Sequence, residues 1–482
     1  MTDSATGYTE NTLMCLLTPM RDVLQDVVKD YSDFVELRYH NKLFRSITAE
    51  KGKVERSTVR RRCGIGIRVL SQGTWGFAAT GDLSPASIHR AIAAARQAAQ
   101  SSARYRQQAL GSLPAVALAE GDFVEPGVAD ILERPLEEKL ALVMQAEAQA
   151  RRAAQAIVSA ACTYNEIYEE KAIVTSDGAN VSVKLVRPEF RIQAVAEQAG
   201  NLTTGSESIG VTGGWDCLFR DQAGILAEKA AATAVDLLTA PYPEGGRTQV
   251  ILSPALVGLL VHEAIGHTVE ADFVLSGSVA AGKIGQQVAS ELVTLCDSGA
   301  SEFHPGAGGT LPVDDEGVPT QRTVIIERGI LKSYLHNRET AAHFGVEPTG
   351  NARAWEYSDQ PLIRMRNTYI EPGEQSLEEI IASTKEGFLL DGARNGQADS
   401  TAEFMFGAER AYRIKDGQLR ELVRGVTLTG NAFEVLQSVD AISKDFIWDL
   451  GSGHCGKGQP AKVDAGGPYL RCRAIVGGQQ ED

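Results

Sequence analysis

The chain has 482 residues, of which 43% are hydrophobic and 23% charged, and this balance excludes a largely disordered or fibrous protein. Its 47 lysines and arginines are outnumbered by 62 aspartates and glutamates, and the net charge of −15 disfavours a nucleic-acid or anionic-membrane partner. No segment reaches the roughly 18 apolar residues of a membrane span, and the N-terminal residues lack the basic and apolar regions of a secretory signal. The sequence therefore predicts a cytoplasmic protein.

The first half contains regions in which apolar and polar residues alternate, as they do in half-buried β-strands. Residues 33–50 predict two short strands, and residues 64–80 predict a hairpin that turns at a Ser-Gln-Gly sequence. Residues 162–196 predict a further strand pair around a Ser-Asp-Gly turn. The intervening segment 51–62 is strongly basic, and we interpret it as a solvated strand edge because the protein as a whole is acidic.

Three runs rich in alanine predict helices in the same half. Ser84-Pro85 supplies an N-cap and a first-turn proline for a helix to about residue 109, and Pro135 begins a second helix to about residue 161. A third helix is predicted over residues 221–238. Strands and helices together indicate an N-terminal α/β domain with long helices.

The second half has a different texture. Two prolines and two glycines within residues 239–246 predict a boundary between a domain over residues 1–240 and another over 247–482. One helix is predicted after Ser253-Pro254, and glycine-rich turns separate short alternating runs. These runs are residues 323–327, 331–335, 403–406 and 419–424. The predicted fold class is therefore α+β, with a C-terminal antiparallel β-rich domain, as a sheet or barrel, that carries the helix.

That helix contains the sequence His262-Glu263-Ala264-Ile265-Gly266-His267, an HExxxH motif. Only eight of the 482 residues are histidines, so chance explains this spacing poorly. Two imidazoles and an adjacent carboxylate are the ligands and the base that zinc hydrolysis needs. A pair of histidines satisfied within a core is the ordinary alternative.

The two histidines are one residue further apart than in the common HExxH motif. On a regular α-helix their side chains would point about 140° apart, so both reach one metal only if the last turn unwinds. We expect Gly266 to allow this by adopting a left-handed or otherwise non-helical conformation.

A zinc site also needs a third protein ligand. Cys455 is the first choice, because a thiolate is a strong zinc ligand and the flanking glycines let the loop approach a metal closely. His454, Glu270 and Asp272 remain alternatives. The seven cysteines are scattered, odd in number and never spaced as CxxC, which argues against a disulfide framework, and most of the other six are expected to be buried thiols.

Two further clusters could bind a ligand. The adjacent carboxylates of residues 314–316 could hold a calcium ion or a second metal, or could simply form a turn before Gly317. Arg353, Arg364 and Arg366 could bind a carboxylate or carbonyl oxygen of a peptide, or could form internal salt bridges.

Taken together, these motifs resemble the TldD/PmbA family of bacterial and archaeal zinc metallopeptidases, and within it the TldD-type subunit that carries the metal. The resemblance covers nearly the whole chain. It is carried by VRRRCGIGIRV and GTWGFAAT in the first half, and by HEAIGH, GTLPVDDEGVPTQRTVIIERGILKSYLHNRETA, GNARAWEYSDQPLIRMRNTYIEPG, GVTLTGN and HCGKGQP in the second. The resemblance implies that His262, His267 and Cys455 bind Zn²⁺ and that Glu263 is the general base. It also implies that two subunits enclose a chamber, as a homodimer or as a heterodimer with a PmbA-type paralogue.

The leading hypothesis is a zinc peptidase that hydrolyses small, unfolded or modified peptides, with Glu263 accepting a proton from zinc-activated water. The substrate is expected to be an extended peptide bound by strand addition. Two alternatives stay open: a non-catalytic subunit or scaffold with a structural zinc, and a zinc amidohydrolase acting on a small non-peptide amide.

Overall fold

The computed structural model of the chain describes residues 20–106, 109–110, 113–220 and 222–478. Within them, the first half forms one seven-stranded sheet in the order β3-β2-β1-β5-β6-β4, with β7 paired to β6. The strands are β1 (Phe34–Glu50), β2 (Lys53–Ser71), β3 (Thr74–Thr80), β4 (Glu120–Val124), β5 (Ile157–Thr175), β6 (Asn180–Gln198) and β7 (Asn201–Gly210). The helices are α1 (Met20–Val28), α2 (Pro85–Ala103), α3 (Gly127–Glu133), α4 (Leu136–Arg152), α5 (Trp215–Leu218) and α6 (Ala223–Asp236).

Successive side chains of this sheet point to opposite faces. One face is apolar and packs against α1, α2, α4 and α6, burying side chains such as Leu37, Ile67 and Ile192. The other face, which we call the inner face, consists of the even-numbered residues of β1 and β2 and the odd-numbered residues of β5 and β6. It carries charged side chains such as Arg38 and Glu169, and one end of it packs against the second half of the chain.

The structure confirms several of the predicted elements and corrects others. The hairpin turns at residues 71–73, and α2 begins at Pro85 with Ser84 as its N-cap. Residues 34–50 form one continuous strand rather than two, because β1 pairs along almost its whole length with both β2 and β5. The second helix ends at Arg152, well before residue 161, because the chain from residue 157 onward pairs with β6.

The second half consists of two larger sheets around one core. Its strands in the described residues are β8 (Gly246–Leu252), β9 (Leu295–Ser298), β10 (Thr323–Glu327), β11 (Ile330–Leu331), β12 (Ala352–Arg353), β13 (Leu362–Ile363), β14 (Asn367–Ile370), β15 (Glu386–Ala398), β16 (Glu403–Lys415), β17 (Gln418–Val423), β18 (Thr427–Asn431), β19 (Ala441–Ile442), β20 (Ile447–Trp448), β21 (His454–Gly456), β22 (Pro460–Lys462), β23 (Asp464–Gly467) and β24 (Leu470–Gly477). One sheet has the order β11-β10-β9-β14-β23-β20. In the other, β15, β8, β24, β18 and β16 pair in turn, and β16 pairs again with β15, so these strands close into a small barrel.

Most of these pairings are antiparallel, and the predicted α+β fold class with a β-rich second half is confirmed; β8–β15 and β14–β23 are parallel exceptions. The run 323–327 is a strand as predicted, and the runs at 403–406 and 419–424 fall on β16 and on β17 with its following residue. The run 331–335 is a strand only at its beginning, in β11. The short helices are α7 (Pro254–Leu259), α8 (Ala271–Leu275), α9 (Arg338–Phe344), α10 (Leu377–Ala382) and α11 (Ala432–Gln437).

The segment that carries the histidine motif continues from α7 through the middle of this half. Leu256, Leu260, Val261 and Ile265 are fully buried in the largest apolar core. Because the segment is apolar on most sides, neighbouring strands fix its position and its rotation. In the part of the chain that the structure describes, no helix has both the length and the apolar character needed to cross a membrane.

Candidate functional site

The histidine motif lies on a π-helix. Residues Leu260–Gly266 continue directly from α7, and the backbone N–H of His267 donates to the carbonyl oxygen of His262. A hydrogen bond that spans five residues brings side chains five apart onto the same side of the helix. The two imidazole rings are accordingly neighbours, with centroids 5.3 Å apart. The helix therefore widens, and the predicted unwinding of its last turn is wrong.

Gly266 has a role other than the predicted one. Its backbone is right-handed helical, with φ −54° and ψ −48°. A Cβ atom at this position would overlap with the Sδ atom of Met365, which is buried against the helix. The glycine is needed because another residue approaches closely, and not because the backbone adopts an unusual conformation.

Cys455 meets the two histidines from the other end of the sequence. Its Sγ atom lies 3.0 Å from Nε2 of His267. Burial alone would raise the pKa of the Cys455 thiol, but the nearby His262 and His267 lower this pKa to about 4, so the sulfur is a thiolate. The structure thus brings together the three side chains predicted as zinc ligands, whose ligand atoms all lie within 4.8 Å of one another.

A buried carboxylate orients His267. Glu270 is fully buried, and its Oε2 lies 3.1 Å from Nδ1 of the His267 ring, which leaves Nε2 facing Cys455. The ammonium of Lys457 donates to the same Glu270 oxygen at 2.9 Å and lies 2.7 Å from Asp272. Glu270 and Asp272, considered as alternative ligands, are therefore engaged with His267 and Lys457. The sequence offered only one signal for Lys457, its position two residues after Cys455.

Glu263 projects from the same helix toward the open side of the site. Its Oε2 lies 3.9 Å from Nε2 of His267, its side chain is 30% exposed, and that of His267 is 19% exposed. Among the residues that the structure describes, no hydrogen bond engages the Glu263 carboxylate. The carboxylate is thus close to the ligand cluster and accessible to water.

The three candidate arginines are internal and do not face a ligand. Arg364 donates to the carbonyl oxygens of Cys455, at 2.6 Å, and Gln459, at 2.7 Å, so it fixes both sides of the β21–β22 hairpin that presents the thiolate. Arg366 forms a fully buried ion pair with Asp297. Arg353 donates to backbone carbonyl oxygens of the same region. The sequence left open whether these arginines bind a peptide or form internal salt bridges, and the internal salt bridge is confirmed for Arg366.

His454 points away from the cluster, as expected for the neighbour of Cys455 on a strand. Its Nε2 lies 3.6 Å from Oε1 of Glu189 on the inner face, and its ring packs against Trp355. Burial and the nearby Lys462 lower the pKa of His454 to about 4, so the ring is neutral at physiological pH. His454 is thus not part of the ligand cluster.

The acidic segment 314–316 is a turn, as one interpretation held, and protein groups satisfy all three carboxylates. Asp314 accepts hydrogen bonds from the backbone N–H groups of Glu316, Val318 and Ala352. Asp315 pairs with Lys171 at 2.9 Å, and Glu316 pairs with Arg68 at 2.7 Å. Because these cations belong to the N-terminal sheet, the segment joins the two halves of the chain and leaves no carboxylate for a second metal.

The donor set fits a zinc ion. Both ring nitrogens of His262 are buried and, among the described residues, lack a hydrogen-bond partner, an arrangement that is costly unless another group binds them. Two imidazoles and one thiolate are nitrogen and sulfur ligands of the kind that zinc selects. Three protein ligands with an exposed side also match an open site better than a closed one with four.

The chain was compared with known proteins. Family models described as PmbA/TldA metallopeptidase domain 1, central domain and C-terminal domain match residues 35–99, 129–238 and 245–478. A protein of Methanothermobacter thermautotrophicus named metalloprotease is 36% identical over 472 residues, which is 95% of this chain and 98% of that relative. A zinc metalloprotease TldD homolog of Saccharolobus solfataricus is 39% identical over 246 residues, or 51% of this chain and 54% of that relative.

A solved structure has the same fold over nearly the same length. TldE from Thermococcus kodakarensis superimposes with a TM-score of 0.73 at 20% identity, covering 94% of this chain and 99% of its own. The structural similarity supports the fold, and the sequence similarity over almost the entire length supports common ancestry. The resemblance carried by the motifs is confirmed: the chain belongs to the PmbA/TldD metallopeptidase family.

Proposed function

We propose that this protein is a zinc-dependent peptidase that hydrolyses small, unfolded or modified peptides. The observation that carries the proposal is the convergence of His262, His267 and Cys455 beside an exposed carboxylate, Glu263, that makes no hydrogen bond within the described residues. The names of relatives, metalloprotease and zinc metalloprotease, support the same reaction class. We further propose the cytoplasm as its compartment, from the sequence features alone.

A zinc ion held by these three side chains would supply Lewis acidity to a peptide carbonyl and to an attacking water. Glu263 accepts the proton that the water loses as its oxygen bonds to the carbonyl carbon. When the carbon–nitrogen bond breaks, Glu263 returns this proton to the leaving amine. Glu270 holds the His267 ring in one orientation throughout, and Arg364 holds the carbonyl of Cys455.

A cleft of about 830 Å³ between the two halves supports an extended substrate. Its walls include Trp75 of the N-terminal sheet and, from the second half, Asp272 and Ile363, both of which contact Lys457. The cleft therefore adjoins the loop of Cys455. A cleft of this volume is large enough for a peptide segment.

Metal content and turnover test the proposal together. The purified chain should contain about one zinc per chain, and a chelator should abolish cleavage of an unfolded peptide. Glu263→Gln should retain zinc and folding but lose at least about a hundredfold in kcat, since it cannot accept the proton. The matched control, Glu291→Gln, alters an exposed glutamate away from the site and should leave kcat unchanged.

Three results would contradict this assignment. Stable zinc with no cleavage of any unfolded peptide would instead support the structural-zinc alternative. Cleavage by Glu263→Gln within a few-fold of the wild type would show that another group is the base. Loss of zinc from Glu263→Gln would make Glu263 a ligand.

We also propose that the chain works as a dimer, either with a second copy or with a PmbA-type paralogue. The structural similarity to TldE, together with the resemblance of this chain to the metal-carrying subunit, supports a paired arrangement. Light scattering at micromolar concentration tests the homodimer. A monomeric mass in isolation that doubles only when the paralogue is added would favour the heterodimer instead.

A further inference from the structure

The second half contacts β7 at the edge of the inner face, where Glu409 accepts hydrogen bonds from Ser206, and it covers one end of the face more completely. There Arg38 donates to the carbonyl oxygen of Asp359, and Lys42 donates to that of Trp355. Toward the other end, no strand of the described residues pairs with the outer edge of β2 before residue 65, because β3 pairs only with residues 65–71. The more exposed end, which we call the arginine face, consists of residues 44–48, 56–60 and 163–165 and of Arg191.

One polar row crosses the arginine face from strand to strand. Arg56 of β2, Thr48 of β1, Thr163 of β5, Arg191 of β6 and Ser208 of β7 are consecutive register partners. The hydroxyls of Thr48 and Thr163 lie 3.1 Å apart, and a guanidinium nitrogen of Arg56 lies 3.4 Å from Oγ1 of Thr48. Side chains in one row point to the same side of the sheet, so the guanidinium and hydroxyl groups of this row lie next to one another.

The cations of this face have no acidic partner. Arg56, Arg60 and Arg191 are exposed, and in the described part of the chain no carboxylate lies within ion-pair distance of any of them. The three arginines thus lack a counter-charge within the described residues, although the protein has a net charge of −15. Guanidinium groups and hydroxyls at this spacing suit carboxylates, which accept paired hydrogen bonds from arginine.

The face adjoins the loop that presents Cys455. Glu189 occupies the row next to Arg191 and lies 3.6 Å from His454, the residue before Cys455. On its other side, the same β21–β22 loop reaches the cleft through Lys457 and Asp272. Arg191 is thus one row of the inner face away from a residue that contacts the loop of Cys455.

We propose that the arginine face binds acidic residues of an extended peptide substrate, at a distance of several residues from the bond that is cleaved. This inference rests on the proposed peptidase function and adds a substrate class, acidic peptides, to it. A second copy of this chain is a less suitable occupant, because a twofold interface would place arginines against arginines.

Binding of a matched pair of peptides tests the proposal. The probes are two fluorescein-labelled unfolded peptides of equal length that carry glutamate in one and glutamine in the other at the same positions. The full-length Glu263→Gln chain, loaded with zinc, prevents turnover during the measurement. Fluorescence anisotropy should give at least about tenfold tighter binding of the glutamate peptide at low salt. Added salt should reduce this preference, because the charges on the face are exposed.

Arginine variants locate the site. Arg56→Gln, Arg60→Gln and Arg191→Gln should each weaken binding of the glutamate peptide several-fold and leave the glutamine peptide unaffected. Arg420→Gln and Arg473→Gln, exposed arginines without an ion pair on strands of the second half, should change neither affinity. All five positions are exposed, so folding should be preserved.

Equal affinity for the two peptides, or an equal loss in the control variants, would overturn the proposal. The proposal would also be overturned if the arginine variants changed the mass of the protein in light scattering and left its peptide affinity unchanged. A second copy of the chain would then occupy the face. A protein that prefers the glutamate peptide but cleaves no peptide would contradict the proposed function and would support this binding site.

Discussion

Replacing Glu270 by glutamine is expected to weaken zinc binding without unfolding the protein. The carboxylate is fully buried and its Oε2 accepts from both His267 and Lys457. A glutamine fits the same space and its carbonyl oxygen can take the place of Oε2, but the side chain is neutral, so its hydrogen bonds to His267 and to the Lys457 ammonium are weaker than those of the carboxylate. Lys457 keeps Asp272 and the carbonyl oxygen of Ile363 as partners, so its charge is not left unpaired.

The expected size of the effect follows from what Glu270 contacts. It does not bind the metal directly but fixes the ring of one ligand, and loss of such a partner typically lowers metal affinity about 10- to 100-fold. This corresponds to about 1.4 to 2.7 kcal/mol of binding free energy. Competition between the protein and a fluorescent zinc chelator measures the dissociation constant, and thermal unfolding of the metal-free protein measures stability separately.

Asp272→Asn is the matched control, because Asp272 also contacts Lys457 but not His267. It should leave zinc affinity within about twofold of the wild type. The reasoning fails if Glu270→Gln binds zinc as tightly as the wild type. It also fails if Asp272→Asn loses as much affinity as Glu270→Gln, since the effect would then come from Lys457.

Three other substitutions test separate parts of the structure. Cys455→Ser should lose most of the bound zinc, whereas Cys472→Ser, which alters a buried thiol outside the cluster, should keep it; metal analysis after dialysis distinguishes them. Gly266→Ala adds a methyl group that displaces Met365, so it should lower the free energy of unfolding by about 1 to 3 kcal/mol and also reduce zinc affinity. Denaturant unfolding measures the loss of stability, and competition with a chelator measures the loss of zinc affinity. Burial lowers the pKa of His336 to about 4, whereas the same side chain in the unfolded protein has a pKa of about 6.5. As the pH falls below about 6.5, the unfolded state therefore binds the proton first and is stabilised relative to the native state. The free energy of unfolding should decrease by up to about 3 kcal/mol by pH 4. His336→Gln should show a correspondingly smaller loss between pH 6.5 and 4 than the wild type in the same unfolding assay.

The residues of the ligand cluster could be predicted because most of them lie close together in the sequence. His262, Glu263 and His267 lie within six consecutive residues, and the glycines around Cys455 mark it among the seven cysteines. The local geometry could not be predicted in the same way. A five-residue spacing is compatible with an unwound turn and with a widened one, and the choice depends on Met365, which packs against Gly266 from a distant part of the sequence.

The end of α4 and the beginning of β5 could not be predicted, because both lie in alanine-rich sequence. Residues 153–161 continue the composition of the preceding helix, and helix propensity alone extends α4 through them. Pairing with β6 decides otherwise from residue 157 onward, because the sheet satisfies the backbone and buries the alternate side chains of Ala160 and Cys162. Helix propensity is therefore a weak predictor where the same residues can pair with a long neighbouring strand.

The acidic turn 314–316 has a consequence for how the protein can be divided. The cations that neutralise Asp315 and Glu316 are Lys171 and Arg68, which precede them by 144 and 248 residues. A fragment that begins after residue 246 would have to expose these carboxylates or bury them without a counter-charge, and either change costs several kcal/mol. Proteolytic cleavage within the irregular residues 241–245, most of which are exposed, should therefore yield two pieces that stay bound to each other, whereas neither piece expressed alone should reach the native state.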